Sequence, residues 1–418
     1  MGTSATHRTI DALWRIESAR LIAGLARIVR DVGVAEELAQ DALVAALEQW
    51  PESGVPDNPG AWLMATAKHR AIDRLRRNER LQRKHEQIAH ELEILQAAEP
   101  DLAAELDDDI GDDLLRLVFT TCHPVLSPEA RVALTLRLLG GLTTAEVARA
   151  FLVPEATVGQ RILRAKRTLA AARVPFEVPV GADRAERLAS VLGVIYLVFN
   201  EGYTATAGDD WIRPSLCQEA LRLGRILAAV SPTEPEVHGL VALMELQASR
   251  LRARVGPDGE PVLLGDQDRA RWDWLLVGRG LAALERVEAL EGELGPYALQ
   301  AAIAACHARA RSVEETDWER IAALYDALAQ VSPSPIVELN RAVALAMAFG
   351  PAAGLEHVEA IAADPALAGY PRLPAVRGDL LVRLGRLEEA RAELERAASL
   401  TGNERERALL LERAARCR

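Results

Sequence analysis

Residues 141–169, GLTTAEVARAFLVPEATVGQRILRAKRTL, carry two short helical periods on either side of a three-residue break. Thr143 followed by Glu146 is a capping box, so a helix is expected to start there and run to about Ala150. Phe151, Leu152 and Val153 make the turn. Pro154, which has no N–H to satisfy, suits the first position of the next helix. In that helix Val158, Ile162, Ala165 and Leu169 recur at three- and four-residue steps and are expected to point inward. Thr157, Gln160, Arg161, Arg164 and Arg167 are left for the outside, with Lys166 in the same basic tail. This is the helix-turn-helix arrangement that places a helix in the DNA major groove.

Such a helix sits oddly in a chain of net charge −12 until the charge is followed along the sequence. Phosphates respond to local charge, not to the total. Residues 68–84, KHRAIDRLRRNERLQRK, hold eight Lys/Arg against two acids, whereas residues 86–113 hold eleven acids and no Lys/Arg. A basic helix, an acidic tether and a second basic helix follow in order.

The totals bound the class. A chain of 418 residues exceeds one ordinary core. Few aromatics and abundant Ala, Leu, Arg and Glu predict an all-α protein. There is no apolar run of about eighteen residues, so no membrane span is expected. The start, MGTSATHRTIDALWRIESAR, lacks the apolar core of a signal peptide. Cys122, Cys217, Cys306 and Cys417 form neither a disulfide framework nor a CxxC pair, which fits a cytoplasmic protein. His85 and His90 stand five apart, off the four-residue spacing that puts two zinc ligands on one helix face. No Gly-rich phosphate loop and no nucleophile–base set occurs, so the chain reads as non-enzymatic, with no metal and no cofactor.

N-terminal to the acidic tract, VAEELAQDALVAALEQWP places Leu38, Ala42, Leu43 and Ala46 on one face and Glu36, Glu37, Gln40 and Asp41 on another. PESGVPDNPG (51–60) is a Pro/Gly loop. The helix expected from Ala61 has an apolar ridge of Leu63, Ala67, Ala71 and Leu75. The tract 86–113 reads as a linker, with structure resuming at Leu114. Beyond Asp183 only helical periods appear. LAAVSPTEPEVHGLVALM (227–244) is echoed by LAQVSPSPIVELNRAVALAM (328–347). Gly378, Gly385, Ala390, Leu394 and Ala397 stand at the small and apolar positions of a tetratricopeptide-type helix pair, with Gly350 in register with Gly385. Stacked antiparallel helix pairs are the expected architecture there.

Taken together, residues 10–170 resemble a bacterial sigma factor of the extracytoplasmic-function type, in which two helical DNA-binding domains, sigma-2 and sigma-4, are joined by a linker. The resemblance implies sigma-2 over 1–80, an acidic linker over 81–113, sigma-4 over 114–173 and a helical extension, tetratricopeptide-like towards its end, over 183–418. VAEELAQDAL resembles the helix that docks on the β′ clamp helices of RNA polymerase core, which implies a docking face of Glu36, Glu37, Gln40 and Asp41. The β flap is implied as a second core contact. NPGAWLMATAKHRAIDRLRR resembles the segment that opens the −10 promoter element. There Asp57, Asn58 and Pro59 would hold a flipped-out base, Trp62, His69 and Arg70 would line the single strand, and Arg74, Arg76 and Arg77 would grip phosphates. The stretch 141–169 resembles the sigma-4 reader of the −35 element. That implies base contacts from Thr157, Gln160, Arg161 and Arg164 and backbone contacts from Lys166 and Arg167. The family often carries a basic or polar residue where Gly159 stands.

The extension resembles a subgroup with long C-terminal helical domains, on landmarks such as VIYLVFNEGYTAT (194–206) and DGEPVLLGDQDRARWDWLL (258–276). Asn200 and Glu201 with Gly202 read as a helix C-terminal cap, or, with Tyr203, as a contact surface. Asp268, Arg271, Trp272 and Asp273 read as buried inter-helix ion pairs or as an interface for a protein partner. The competing reading is a one-component helix-turn-helix regulator with a helical sensor domain. It leaves VAEELAQDAL and the −10-like segment without a role.

Overall fold

α-Helices follow one another from end to end of the computed structural model, which describes residues 3–87, 110–151, 153–204, 211–257 and 259–417. Contacts divide the chain into two units, Met1–Val194 and Ile195–Arg418. Among the described residues, no helix is long and apolar enough to cross a membrane.

The first unit holds α1 (Thr3–Val29), α2 (Val32–Ser53), α3 (Pro59–Gln87), α4 (Ile110–Thr121), α5 (Pro128–Leu138), α6 (Thr144–Phe151), α7 (Glu155–Ala171) and the N-terminal part of α8 (Ala182–Tyr203). Asp31 starts α2, its Oδ1 accepting from Gly33 N at 2.7 Å and Val34 N at 2.9 Å. Ala35, Ala39, Ala42 and Ala46 of α2 are all fully buried, and small side chains let α1 and α2 pack closely. The predicted ridge of α3 holds for Leu63, Ala67 and Ala71, which are buried. The side chain of Leu75 lies outside the described residues. α2 runs on to Ser53 and α3 starts at Pro59, so the Pro/Gly loop shrinks to residues 54–58.

Residues 88–109 of the predicted linker lie outside the described residues. Its end is corrected: α4 begins at Ile110, four residues before Leu114. Asp113, read as part of a solvated acidic run, is 4% exposed and pairs with Arg27 at 3.2 Å and Arg116 at 2.6 Å. The start of α8 is also bound into this unit. Arg187 Nη2 donates to Phe119 O at 2.9 Å, Ser190 Oγ to Cys122 O at 2.8 Å, and Arg131 Nη1 to Ser190 Oγ at 2.6 Å.

The second unit continues through α9 (Pro214–Val230), α10 (Pro235–Ala248), α11 (Trp274–Ala289), α12 (Pro296–Arg309), α13 (Trp318–Val331), α14 (Pro335–Phe349), α15 (Pro351–Ile361), α16 (Arg372–Arg383), α17 (Leu387–Leu400) and α18 (Glu404–Arg416). α10 is buried almost all round and packs against α9, α11 and α12. The sequence echo has a structural counterpart. Ser231 after α9 (φ −138°, ψ 61°) and Ser332 after α13 (φ −138°, ψ 75°) share one backbone conformation, and each leads into a helix opened by proline.

Antiparallel pairs α14–α15 and α16–α17 show how the predicted repeat packs. Gly350 (φ 98°) and Gly385 (φ 76°) make the two turns in a left-handed conformation that favours glycine. A Cβ on Gly378 of α16 would lie 2.9 Å from Leu394 Cγ and 3.2 Å from Ala390 O of α17. In the preceding pair the glycine is on the other helix: a Cβ on Gly354 of α15 would lie 2.7 Å from Ala342 O and 2.5 Å from Ala346 Cβ of α14.

Candidate nucleic-acid interface

The helix-turn-helix is built as its sequence specifies. Thr143 N donates to Glu146 Oε2 at 2.8 Å, and Glu146 N donates back to Thr143 Oγ1 at 3.1 Å, closing the capping box. Val158, Ile162, Ala165 and Leu169 are buried. Two positions shift. Phe151, expected in the turn, is the last residue of α6, and Leu152 lies outside the described residues. Pro154 (φ −58°, ψ 141°) is the N-cap of α7, its carbonyl accepting from Thr157 N and Val158 N, so the helix begins at Glu155. Proline's fixed φ suits either place, and its ψ decides.

Gln160, Arg164 and Arg167 are exposed on α7, while Thr157 and Arg161 are half-buried. Spacing of three and four residues puts the exposed trio on one side of the helix. Lys166 faces elsewhere. Its ammonium pairs with Glu36 of α2, whose carboxylate also accepts from Arg137 Nε of α5 at 2.7 Å and Gln40 Nε2 at 2.7 Å. Glu36, expected on an open docking face, is therefore 4% exposed. Glu37 and Asp41 remain exposed, and Gln40 is half-buried. Glu37 pairs with Arg74 of α3 at 3.0 Å, and Asp41 lies 3.9 Å from Arg70. In this conformation the acids expected to meet polymerase face the cations expected to meet DNA.

In the loop before α3, Asp57 and Asn58 are exposed, and Asn58 Oδ1 accepts from Ala61 N at 3.1 Å, which caps the helix that Pro59 opens. Trp62 is half-buried and meets Trp50 edge-to-face, with centroids 5.2 Å apart. His69 and Arg76 are exposed on α3. The side chain of Arg77 lies outside the described residues.

In the second unit, α8 runs past Asn200 and Glu201 to Tyr203, so the predicted Asn-Glu-Gly cap is not formed. Gly202 is instead a point of close approach: a Cβ there would lie 2.7 Å from Cys217 N. Glu201 pairs with Arg213, and Tyr203 stacks on Phe199 at 5.7 Å beneath the Arg254 guanidinium. The residues expected to form buried ion pairs do other work. Asp268 caps a short turn through Ala270 N at 2.9 Å, and Asp273 caps α11 through Leu275 N at 3.1 Å. Arg271 Nη1 donates to Val255 O at 3.3 Å, and Trp272 is 4% exposed within the core of α10–α12. Arg269, from the same run, donates to His307 O and Ala310 O, both at 2.6 Å. Sequence reasoning missed Arg137, Arg250 and Arg254. For Arg250 and Arg254 a signal existed, the alternating cations of RLRAR (250–254) directly after an apolar helix.

Comparison with known proteins agrees with this assignment. Residues 14–81 match the family Sigma-70 region 2, and residues 116–169 match Sigma-70, region 4. Residues 187–288 match a family of unknown function, DUF6596. The chain is 45% identical over 391 residues, 92% of its own length and 90% of the relative's, to an uncharacterized protein of Rhizobium meliloti (strain 1021). It is 32% identical over 152 residues to the ECF RNA polymerase sigma factor SigK of Mycobacterium ulcerans (strain Agy99), covering 35% of this chain and 75% of that protein. The SigK of Mycobacterium tuberculosis (strain ATCC 25618 / H37Rv) gives 32% over 151 residues, 34% of this chain and 74% of that protein. No solved structure matches. Two sigma-70 regions in order, a capped helix-turn-helix and relatives matched over three-quarters of their length place the chain in the extracytoplasmic-function sigma factors of the sigma-70 family, with a C-terminal extension.

Proposed function

We propose that the exposed face of α7 (Gln160, Arg164 and Arg167, with Thr157 and Arg161 beside it) reads the −35 element, and that the loop at Asp57–Pro59 with Trp62, His69 and the arginines of α3 captures the −10 strand. The sigma factor binds RNA polymerase core and promoter DNA. Glu36, Glu37, Gln40 and Asp41 would meet the β′ clamp helices, and the helix-turn-helix region the β flap. The observation that carries the reading is the inward stripe of α7, which leaves its amide and guanidinium groups presented together on a capped, rigid helix. An amide and a guanidinium one turn apart suit the base edges and phosphates of a major groove. Cytoplasmic residence follows from this role, and the extension is assigned to support or regulate initiation, with a protein partner as its expected ligand class.

Of the expected domain limits, 1–80 for sigma-2 is kept in this reading, while α4 from Ile110 and the part of α8 up to Val194 are joined to the promoter-binding part, which leaves the extension to begin at Ile195. The acidic tract would run through basic channels of the polymerase as a nucleic-acid mimic. Its replacement by Ser/Gly should spare Asp113, which is structural.

The test is run-off transcription by the full chain with core polymerase on its own upstream DNA. Arg164→Ala and Trp62→Ala should each abolish most of the transcript while core binding persists. Equal binding of promoter duplex with and without core would overturn the reading in favour of a one-component regulator.

A further inference from the structure

The second unit contains a cavity of about 850 Å³ lined by the C-terminal turns of α8, by α10, α12, α13 and α14, and by the ends of α16–α18. That volume is in the range of small-ligand sites. Its chemistry is cationic. Arg250, Arg254 and Arg372 contribute guanidinium groups to the lining, and Arg269 stands behind them over the Trp272 ring at 4.8 Å.

Among the described residues, two of these cations have no anion in ion-pair reach. Arg254 lies over the Tyr203 ring at 3.8 Å, and its Nη2 donates to Tyr203 O and Thr204 Oγ1, both at 3.0 Å. Arg250 rests against the rings of Tyr203 and Trp272, 5.9 Å from each centroid. The Nε–H groups of both arginines are buried without a partner. Buried donors in native proteins are almost always satisfied, and these two Nε–H groups are exceptions on side chains that are otherwise half-buried. The two carboxylates of the lining are occupied elsewhere: Glu201 pairs with Arg213, and Glu406 accepts from the Thr401 hydroxyl. Among the described residues, then, neither Arg250 nor Arg254 has a carboxylate in ion-pair reach. His307 adds no negative charge, since burial and the nearby Arg250 and Arg269 hold its imidazole neutral, with a pKa near 3.

Around the cations the wall is aromatic and amide-bearing. Tyr196 donates to Gln300 Oε1 at 3.1 Å, and Tyr325 and Gln247 line the same space. Such a wall receives the carbon body of a ligand while the guanidinium forks take its charged end.

We propose that this cavity is a binding site for a small oxyanion-bearing molecule, its carboxylate or phosphate held by Arg250 and Arg254 and its body lying among Tyr196, Tyr203 and Tyr325. The extension then acts as a receptor for a soluble acidic metabolite.

The experiment is calorimetric titration and thermal melting of the full chain with inorganic phosphate, adenosine monophosphate and citrate. Adenosine and potassium chloride at matched ionic strength serve as controls. At least one of the three anions should bind saturably and raise the melting temperature, whereas the controls should not. A preference for the nucleotide identifies phosphate as the natural charged group, and a preference for citrate identifies carboxylate. Arg250→Gln, whose side-chain contacts are ring faces, should weaken binding about tenfold. Arg254→Gln should do the same if the variant folds. Absence of saturable binding by all three anions in the millimolar range, or undiminished binding by the Arg250→Gln chain, would overturn the proposal.

Discussion

Lys166 of α7 and Glu36 of α2 form an ion pair, and Arg137 holds the same carboxylate from α5 at 2.7 Å. On the proposed roles, Lys166 at the DNA backbone and Glu36 at polymerase, the two uses would compete. Lys166→Met combined with Arg137→Leu should release Glu36 and raise affinity for core polymerase several-fold, measured by fluorescence anisotropy. Glu36→Gln should lower that affinity and, by leaving two half-buried cations without their anion, cost about 1–3 kcal/mol in stability. Equal core affinity in all three chains would separate docking from this contact.

Asp113 gives a sharper stability test. Within the 86–113 run it lies buried between Arg27 and Arg116. Asp113→Asn should destabilise the first unit by about 2–3 kcal/mol, because two guanidinium groups lose their partner. Replacing Asp107, Asp108 and Asp109 by Asn should leave the melting temperature within experimental error. Equal effects would mean that the run acts through its summed charge.

Gly159 lies inside α7, and a Cβ there would meet only Thr144 Cγ2 at 3.9 Å, an ordinary contact. Nothing steric demands glycine. Gly159→Ala should therefore stabilise the helix-turn-helix by about 0.5–1 kcal/mol, seen as a higher melting temperature. A loss of stability would reveal a backbone strain absent from this conformation.

Acid sensitivity of the second unit should trace in part to His307. Its pKa is lowered from 6.5 to about 3 by burial first and by Arg250 and Arg269 next. Between those values the unfolded chain binds a proton that the folded chain refuses. Stability is therefore full above about pH 6.5 and falls as pH drops towards 3, with a slope approaching about 1.4 kcal/mol per pH unit. Urea melts of His307→Gln should show a flatter acid limb than the parent. Identical limbs would assign acid sensitivity to other groups.

What the sequence made legible was local. The inward stripe of α7, the Thr143–Glu146 box and the paired turns at Gly350 and Gly385 all depend on neighbours a few residues away, and all appear as expected. The misses are long-range. Glu36 belongs to the polar face of its helix by periodicity, and it is buried by Arg137 and Lys166, the nearer of them 101 residues later. Asp113 looked solvated because a run of like charge usually is, yet Arg27 lies opposite it on α1. Gly202 after Asn-Glu resembled a cap. The approach of Cys217, which no local rule can foresee, explains the glycine instead. The same holds for the cavity, whose Arg250 and Arg254 stand in one short segment but whose walls come from helices spread over about two hundred residues.

The exchange of glycine between the two C-terminal helix pairs bears on how such arrays diverge. In α14–α15 the second helix gives up its side chain at the crossing, and in α16–α17 the first helix does. Close packing at each crossing limits the summed bulk of the two facing side chains, and glycine on either helix meets that limit. The repeat is thus held by a property of pairs across the hairpin, which no single position in the chain displays.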